Sequence, residues 1–492
     1  MGVRGEMEFV IFVADAARPR SPSEPPSRVR KGTAGIEPTA EEETAEISQR
    51  AVTLARHFAG KIEVIPRVPI RGLSDFAYWY TPGIAEVARR IERDPEEAFS
   101  LTGRWNTIAI VTDGSRVLGL GEIGPRAALP VMEGKALLFK YLGGVDAVPL
   151  PLEVASAAEL VETVRRLEPA FGGINLEDIA SPKCFEVLET LSRGLGIPVW
   201  HDDQLGTAAA TVAGLINALR LTGREISRAR IVLLGAGAAN IATARLLGHL
   251  GADLKGMKVV DQRGLLHADR EDMDELMIHN RWKYELALAT NEERRSGSLA
   301  EALKGADVLL AASRPDPHTV HPAWVQSMAP RPIVFALANP TPEIWPQEAR
   351  RAGAAIVATG RSDFPNQVNN SLIFPMVFRG VLDARASSIP DDLVLTAARE
   401  LARGAEREGL TPEHILPTMG ETEVFPEMAA AVASAAVRLG IARVRRTHEE
   451  FLESARSRMA RPRRLAEMLA RSGLLPEMPP GAESPRGGLR GQ

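Results

Sequence analysis

The residues with the clearest capacity for chemistry lie between 172 and 207, in the stretch GGINLEDIASPKCFEVLETLSRGLGIPVWHDDQLGT. One apolar run ends in Glu177 and Asp178, and a segment of helical length follows. A second apolar run, Ile197 to Trp200, ends in His201, Asp202 and Asp203. Carboxylates at the ends of buried strands are costly to desolvate unless something neutralises them. A hard, oxygen-seeking dication would do so, and no Cys/His cluster offers itself to a softer metal. The expectation is a Mg²⁺ or Mn²⁺ site built from Glu177, Asp178 and Asp203. For Asp202 and Asp203 the competing reading is capping of the helix that starts near Gln204.

Three further side chains stand out upstream. Lys135, in PVMEGKALLFKYL, is read at the start of a helix with apolar neighbours; an ammonium in such surroundings has a lowered pKa and becomes a usable base. Tyr80 directly precedes the Thr81-Pro82-Gly83 turn and an amphipathic helix with Ile84, Val87, Ala88 and Ile91 at helical spacing. The positive end of that helix can act on its hydroxyl, although a tyrosine beside a turn is more often packing. Arg116, just past Asp113-Gly114, is either a surface arginine or a clamp for a carboxylate. Asp113-Gly114 itself reads as the turn of a β-hairpin.

These residues need elements to hold them, and the chain offers two patterns. Up to about residue 205 strands and helices mix, with helices expected at 44–58 and 156–167 and a short strand at 62–65. The literal GxGxxG of Gly119, Gly121 and Gly124 is followed at once by Pro125 with no helix pattern evident, so it reads as a tight loop that lets the backbone approach something closely. From Arg230 strand–helix alternation is regular. ARIVLLGAGAAN is a β-run feeding a glycine turn, and MKVVDQRGLL ends a second strand in Asp261. Gly235 permits the turn, and Gly237 lets a pyrophosphate reach the helix N-terminus beside Ala239 and Asn240. Asp261 would accept a hydrogen bond from the adenosine ribose and repel a 2′-phosphate, favouring NAD over NADP, with Arg263 able to soften that preference. Asn339, in ALANPTPE, and Asn369-Asn370, in QVNNSLIFP, offer neutral amides to orient a substrate, or are simply turn residues.

The expected fold is therefore α/β. It comprises a disordered extension (1–43), an N-terminal α/β substrate and metal domain (44–205), a doubly wound Rossmann-type NAD(P)-binding domain (206–390), C-terminal helices (391–475) and a disordered tail (476–492). The long Ala-rich helix from Gln204 to Leu221 links the two domains. Within 492 residues, 59 Lys and Arg against 63 Asp and Glu give a net charge of −4, too slight to point to nucleic acid or a membrane surface. No apolar run approaches the ~18 residues of a membrane span. The apolar start, MEFVIFVADAA, is short and lacks the flanks of a signal peptide. A single cysteine, Cys184, excludes an intrachain disulfide and suits a reducing cytoplasm. The basic stretch 441–475 reads as a solvated helix or an oligomer contact, consistent with a homodimer or higher homo-oligomer.

YTPGIAEVAR, VTDGSRVLGLGEIGP, PVMEGKA, GGINLEDI, HDDQLGTA, GAGAAN, FALANPTPE and QVNN occur in that order. Together they resemble the bacterial-type malic enzymes over roughly residues 60–443. The resemblance implies oxidative decarboxylation of L-malate to pyruvate and CO₂ with a nicotinamide cofactor (NAD, with NADP possible) and Mg²⁺ or Mn²⁺. It implies Tyr80 as general acid, Lys135 as general base, Arg116 as a grip on a malate carboxylate, and Glu177, Asp178 and Asp203 as metal ligands. It also implies Asn339 and Asn370 as amides for substrate or cofactor. Leu205 stands where many relatives carry histidine, and Asn240 where they carry a small residue. Two alternatives remain from sequence: a malolactic-type decarboxylase that yields lactate, and a non-catalytic dinucleotide-sensing protein.

Overall fold

The computed structural model describes residues 40–117 and 119–480. The expected disordered ends, and the apolar start with them, fall mostly outside the described residues; within them, a helix already begins at Ala40. The chain forms two compact units, Met1–Ala51 and Val52–Gln492. In the first, the described residues belong to the helix Ala40–Phe58. The second carries two parallel sheets.

The first sheet contains β1 (Thr107–Thr112), β2 (Asp146–Pro151), β3 (Gly173–Leu176) and β4 (Val199–His201), in the order β2-β1-β3-β4. All its pairings are parallel. Its central strands are continuous apolar runs because helices cover both faces. Ile108, Ala109, Ile110 and Val111 of β1 are completely buried. The helices Gly124–Gly143, Ala157–Leu167 and Lys183–Gly194 form the crossovers. Strand order reverses about β1, so the loops after β1 and β3 diverge and open a crevice at their carboxyl ends, where ligands bind in open α/β sheets.

The second sheet contains β5 (Ile231–Leu234), β6 (Lys258–Asp261), β7 (Gly264–Leu265), β8 (Val308–Ala311), β9 (Ile333–Ala336) and β10 (Ile356–Thr359). The order is β10-β9-β8-β5-β6-β7, parallel except for the short β6–β7 pair. This is the doubly wound pattern, with its reversal between β5 and β8. Gly235 is required there: its φ is +100°, and a Cβ would lie 2.4 Å from the Ala312 carbonyl oxygen.

Several local expectations change. No strand forms at 62–65, which is irregular. Asp113-Gly114 does not join a hairpin, because both neighbours of β1 are parallel strands reached through crossovers. It remains a turn, with Asp113 Oδ1 accepting from the Ser115 amide at 3.0 Å. A helix does begin at Gly124, with Pro125 in its first turn: proline lacks only an N–H that the first turn would leave unpaired. Lys135 therefore lies mid-helix rather than at a helix start. The close approach expected of the glycine loop occurs at Gly119, where a Cβ would sit 2.7 Å from the Asn339 carbonyl oxygen.

The helices after Pro390 tie the two sheets together. Val424–Arg438 packs on Phe374–Asp383, Asp391–Glu408 and His448–Arg471; Asp391–Glu408 packs on Thr207–Thr222, and His448–Arg471 on Gly124–Gly143. Asp202–Thr222 is the one helix among the described residues that is long and apolar enough to cross a membrane, yet it is mostly buried within the fold.

Candidate active site

The loops at the carboxyl ends of β1, β3 and β4 bring the acidic residues together. One carboxylate oxygen from each of Glu177, Asp178 and Asp203 lies within 4.8 Å of the others. Glu177 and Asp178 are buried, while the Asp203 side chain is 35% exposed and opens the cluster to solvent. Asp178 reaches its place with φ +54°, a left-handed conformation that aspartate tolerates better than most residues. Its amide donates to Asp203 Oδ2 at 2.9 Å, joining the β3 and β4 loops. Burial pushes the Glu177 carboxyl well above its ordinary pKa, and Asp202, Asp203 and Asp178 add repulsion that Lys135 only partly offsets. Burial likewise raises Asp203, against Lys135, the Asp178 amide and Arg116. A partly buried cluster of like charges with converging oxygens suits a hard dication, so the residues fit the expected Mg²⁺ or Mn²⁺ group.

Lys135 is delivered by the Gly124–Gly143 helix, with its side chain only 10% exposed. Its ammonium lies 2.9 Å from Glu177 Oε1, 2.6 Å from Asp202 Oδ2, and 4.5 Å from the centre of the Phe374 ring. Burial alone would lower its pKa as expected from its apolar neighbours. Asp202 and Glu177 reverse that, and the pKa is raised. The expectation of a lowered pKa thus fails for the protein without bound ligands, because the opposite charges come from strands distant in sequence.

Asp202 neither caps a helix nor belongs to the expected trio. The chain makes one π-helical turn over Asp202–Gly206, an insertion that often re-aims a side chain at a functional site. Fully buried, Asp202 accepts from Trp200 Nε1 at 2.9 Å while it faces Lys135. Gly206 gives it room, since a Cβ there would lie 2.0 Å from Asp202 Oδ1 and 3.0 Å from Asn370 Cβ. Asn370 therefore borders the same turn. Asn369 accepts from the Ser371 amide, a turn role. His201 is buried with neither ring nitrogen hydrogen-bonded, Nδ1 lying 3.9 Å from Asp203 Oδ2, and burial pushes its imidazole down to about 4.

Arg116 is exposed, but its amide donates to the Asp178 carbonyl at 3.0 Å, and Ser115 Oγ accepts from the Ala180 amide at 2.9 Å. The loop after β1 is thereby stitched to the loop carrying Glu177 and Asp178, leaving the Arg116 guanidinium close enough to favour ionised Asp203. Tyr80 is 69% exposed, in a segment that also exposes Val64 (98%), Leu73 (88%), Trp79 and Phe76.

The nucleotide face is built as expected, with one change. The helix Ala238–His249 follows Gly237, where an added Cβ would meet nothing within 4 Å; that open N-terminus, beside Ala239, fits a pyrophosphate. Asn240 supports the turn: its Nδ2 donates to the Leu234 and Gly235 carbonyls at 2.8 and 2.9 Å. Asp261 ends β6, but its carboxylate is already paired with Arg270 (2.8 Å) and Lys283. Its pKa is held below the ordinary value by those partners, against burial. Asn339 is exposed beyond β9, with Nδ2 beside Gly360. Glu343, not singled out from sequence, is fully buried and accepts from the Ser313 amide (2.7 Å) and the Ala338 amide (3.1 Å), pinning the ends of β8 and β9. Its only sequence signal is an acid after Asn-Pro-Thr-Pro.

Comparison with known proteins agrees with this construction. Residues 59–159 match the malic enzyme N-terminal domain and residues 205–438 the malic enzyme NAD binding domain. A bifunctional malic/malolactic enzyme of Bacillus subtilis (strain 168) is 45% identical, covering 83% of this chain and 98% of that protein. An NAD-dependent malic enzyme of Geobacillus stearothermophilus is 44% identical (80% of each). An NADP-dependent malic enzyme of Halomonas elongata is 41% identical (79% and 93%). The crystal structure of Entamoeba histolytica malic enzyme superposes with a TM-score of 0.87 at 41% identity, covering 90% of this chain and 93% of that one. That of the Pyrococcus horikoshii enzyme gives 0.82 at 43% (87% and 99%). Two domain matches in the expected order, relatives matched over nearly their whole length and the same fold together place this chain in the malic enzyme family.

Proposed function

We propose that this protein oxidatively decarboxylates L-malate to pyruvate and CO₂, using NAD or NADP and Mg²⁺ or Mn²⁺. The observation that carries the reading is the buried Lys135 ammonium, held between Asp202 and Glu177 at the edge of the Glu177/Asp178/Asp203 cluster. A non-catalytic dinucleotide sensor has no use for that arrangement.

A dication held by Glu177, Asp178 and Asp203 would supply Lewis-acid polarisation of the substrate's C2 oxygen, and the bound nicotinamide a hydride acceptor. The remaining work falls to the chain. Arg116 and Asn370 hold the carboxylates of malate. With Glu177 drawn to a dication, Lys135 would lose the partner that helps keep it protonated; as the neutral amine it takes the C2 hydroxyl proton during oxidation and passes it to Tyr80 after CO₂ has left, while Asp202 holds it in place throughout. Asn339 orients the nicotinamide end.

Tyr80 is assigned protonation of C3, and its exposure supports a reading in which it acts on a second copy of this chain. The apolar segment around it is then covered in a homodimer, which also accounts for Val64 and Leu73 standing in solvent. Mixing Lys135→Ala and Tyr80→Phe variants, each inactive alone, should restore part of the turnover if the two residues serve one site from different chains.

At the adenosine end, Asp261 is neutralised by Arg270 and Lys283, and Arg263 is exposed two residues on. This arrangement favours tolerance of NADP beside NAD rather than exclusion of it. A malolactic outcome is the second reading, supported by the bifunctional relative from Bacillus subtilis. One assay separates these: malate with each nucleotide and each metal, an EDTA control, and product analysis for pyruvate and lactate. Lactate without net nucleotide reduction would replace the proposed reaction, and no metal-dependent turnover would remove it. The single buried cysteine remains the support for a cytoplasmic location.

A further inference from the structure

The end of the Phe374–Asp383 helix, the 99–105 segment and the His448–Arg471 helix line a concave cavity of about 230 Å³ that shares no lining residue with the carboxylate cluster. Its apolar part is formed by Phe99, Trp105 and Leu382. Its polar part has three guanidinium groups, Arg385, Arg446 and Arg458, against a single carboxylate, Asp383.

That carboxylate is already committed. Asp383 accepts from Arg379 and pairs with Arg458. Arg379 is completely buried alongside, with Nη1 donating to Asn106 and Nε unpartnered. Arg458 also stacks over Trp105 at 4.4 Å. The Arg379–Asp383–Arg458 set thus has a structural task, clamping two helices to the Trp105 segment. The task does not extend to Arg385 or Arg446. Arg385 donates to the neutral hydroxyl of Ser100 at 2.8 Å. Arg446 makes no hydrogen bond or ion pair among the described residues, and the acid that feels its charge, Glu450, is engaged in capping the helix at Thr447. Three arginines and one aspartate leave a surplus of positive charge facing the cavity, with the buried Arg379 adding a fourth cation alongside. Burial and the flanking Arg379 and Arg446 accordingly hold Arg458 below its ordinary pKa, against Asp383.

Surplus guanidinium groups converging on a concave surface fit carboxylate or phosphate oxygens bidentately. The volume falls below the ~300–1,000 Å³ of sites for drug-sized ligands, so the occupant is a small metabolite. The Trp105 and Leu382 surface favours one with a carbon chain over a bare inorganic ion. We propose that this cavity binds a small organic polyanion, a short di- or tricarboxylate gripped by Arg385, Arg446 and Arg458, at a site separate from that for malate. The proposal does not depend on the reaction assigned above.

The test is calorimetric titration of the full chain with tricarballylate and, separately, with inorganic phosphate, in NaCl adjusted to equal ionic strength. Tricarballylate should bind wild type at one such site per chain. Arg446→Ser and Arg385→Ser should each weaken it by roughly tenfold or more, as expected for loss of a charge-assisted contact. Arg446→Lys should retain most of the affinity, and malate turnover should be unchanged in all three variants, which also shows that they fold. Affinity indifferent to these substitutions, or heat reproduced by NaCl alone, overturns the proposal. Phosphate binding without tricarballylate binding overturns the ligand class.

Discussion

Replacing Asp202 by asparagine tests the contact on which the proposed chemistry depends. The change preserves shape and one acceptor for Trp200 Nε1, and removes only the charge facing Lys135. In the structure Lys135 has two carboxylates, at 2.6 and 2.9 Å, whose side chains are 0% and 4% exposed. Removing one partner of a buried pair costs about 3–5 kcal/mol when the other charge is left alone. Here Glu177 still faces the amine, so the loss in stability should be nearer the ~1.5–3 kcal/mol of one charge-assisted hydrogen bond. Turnover should suffer more. With Glu177 engaged by a dication, Lys135 in the variant has no carboxylate of its own to position it. Because a well-placed acid–base group contributes ~10²–10⁴-fold, kcat should fall by about two orders of magnitude, with a smaller change in the malate KM. Steady-state formation of reduced nucleotide with Mn²⁺, together with thermal unfolding in EDTA, measures both effects. Gly206→Ala is an independent route to the same state, since its Cβ would displace Asp202 from 2.0 Å away. If Asp202→Asn kept turnover within roughly threefold of wild type and an unchanged unfolding midpoint, Asp202 would not be the residue that places Lys135.

Other expectations rest on other parts of the molecule. Asp307, held by Arg230 and Arg224 against the cost of burial, has a pKa below the ordinary value. A depressed folded-state pKa stabilises above the unfolded value of ~3.9 and is lost as pH falls through the folded value. Asp307→Asn should therefore cost about 1–3 kcal/mol in urea unfolding at pH 7, with the difference from wild type shrinking towards about pH 3. A gap that widened in acid would refute the assignment. Cys184 is fully buried, and burial together with Asp203 pushes its thiol up to about 12; iodoacetamide should label it only after denaturation, and rapid native labelling would mean that the Lys183–Gly194 helix opens. Arg263→Ser should weaken NADP binding by roughly tenfold while leaving NAD within experimental error. Equal losses for both nucleotides would show that Arg263 does not read the 2′-phosphate.

What the sequence determined by itself is local and periodic. Apolar runs ending in acids located β3 and β4 and the Glu177/Asp178/Asp203 cluster, because a strand buried on both faces must end where polar residues begin. The glycine turn before Ala238 located the nucleotide half for the same kind of reason: Gly235 and Gly237 answer to backbone geometry within a few residues. Ordered motifs carried the family. Only the tertiary structure decided which charges meet. The ionisation of Lys135 was misjudged because Asp202 and Glu177 arrive from other strands, and a pKa is set by neighbours in space rather than in sequence. Asp202 looked like a cap until a π turn aimed it at Lys135. Asp261 looked like a free ribose ligand until Arg270 and Lys283 closed on it. The helix at Gly124 was concealed by a proline that the first turn accommodates. Tyr80 shows the limit most plainly: its motif is intact, yet no reading of one chain's local pattern could reveal that the residue is largely exposed.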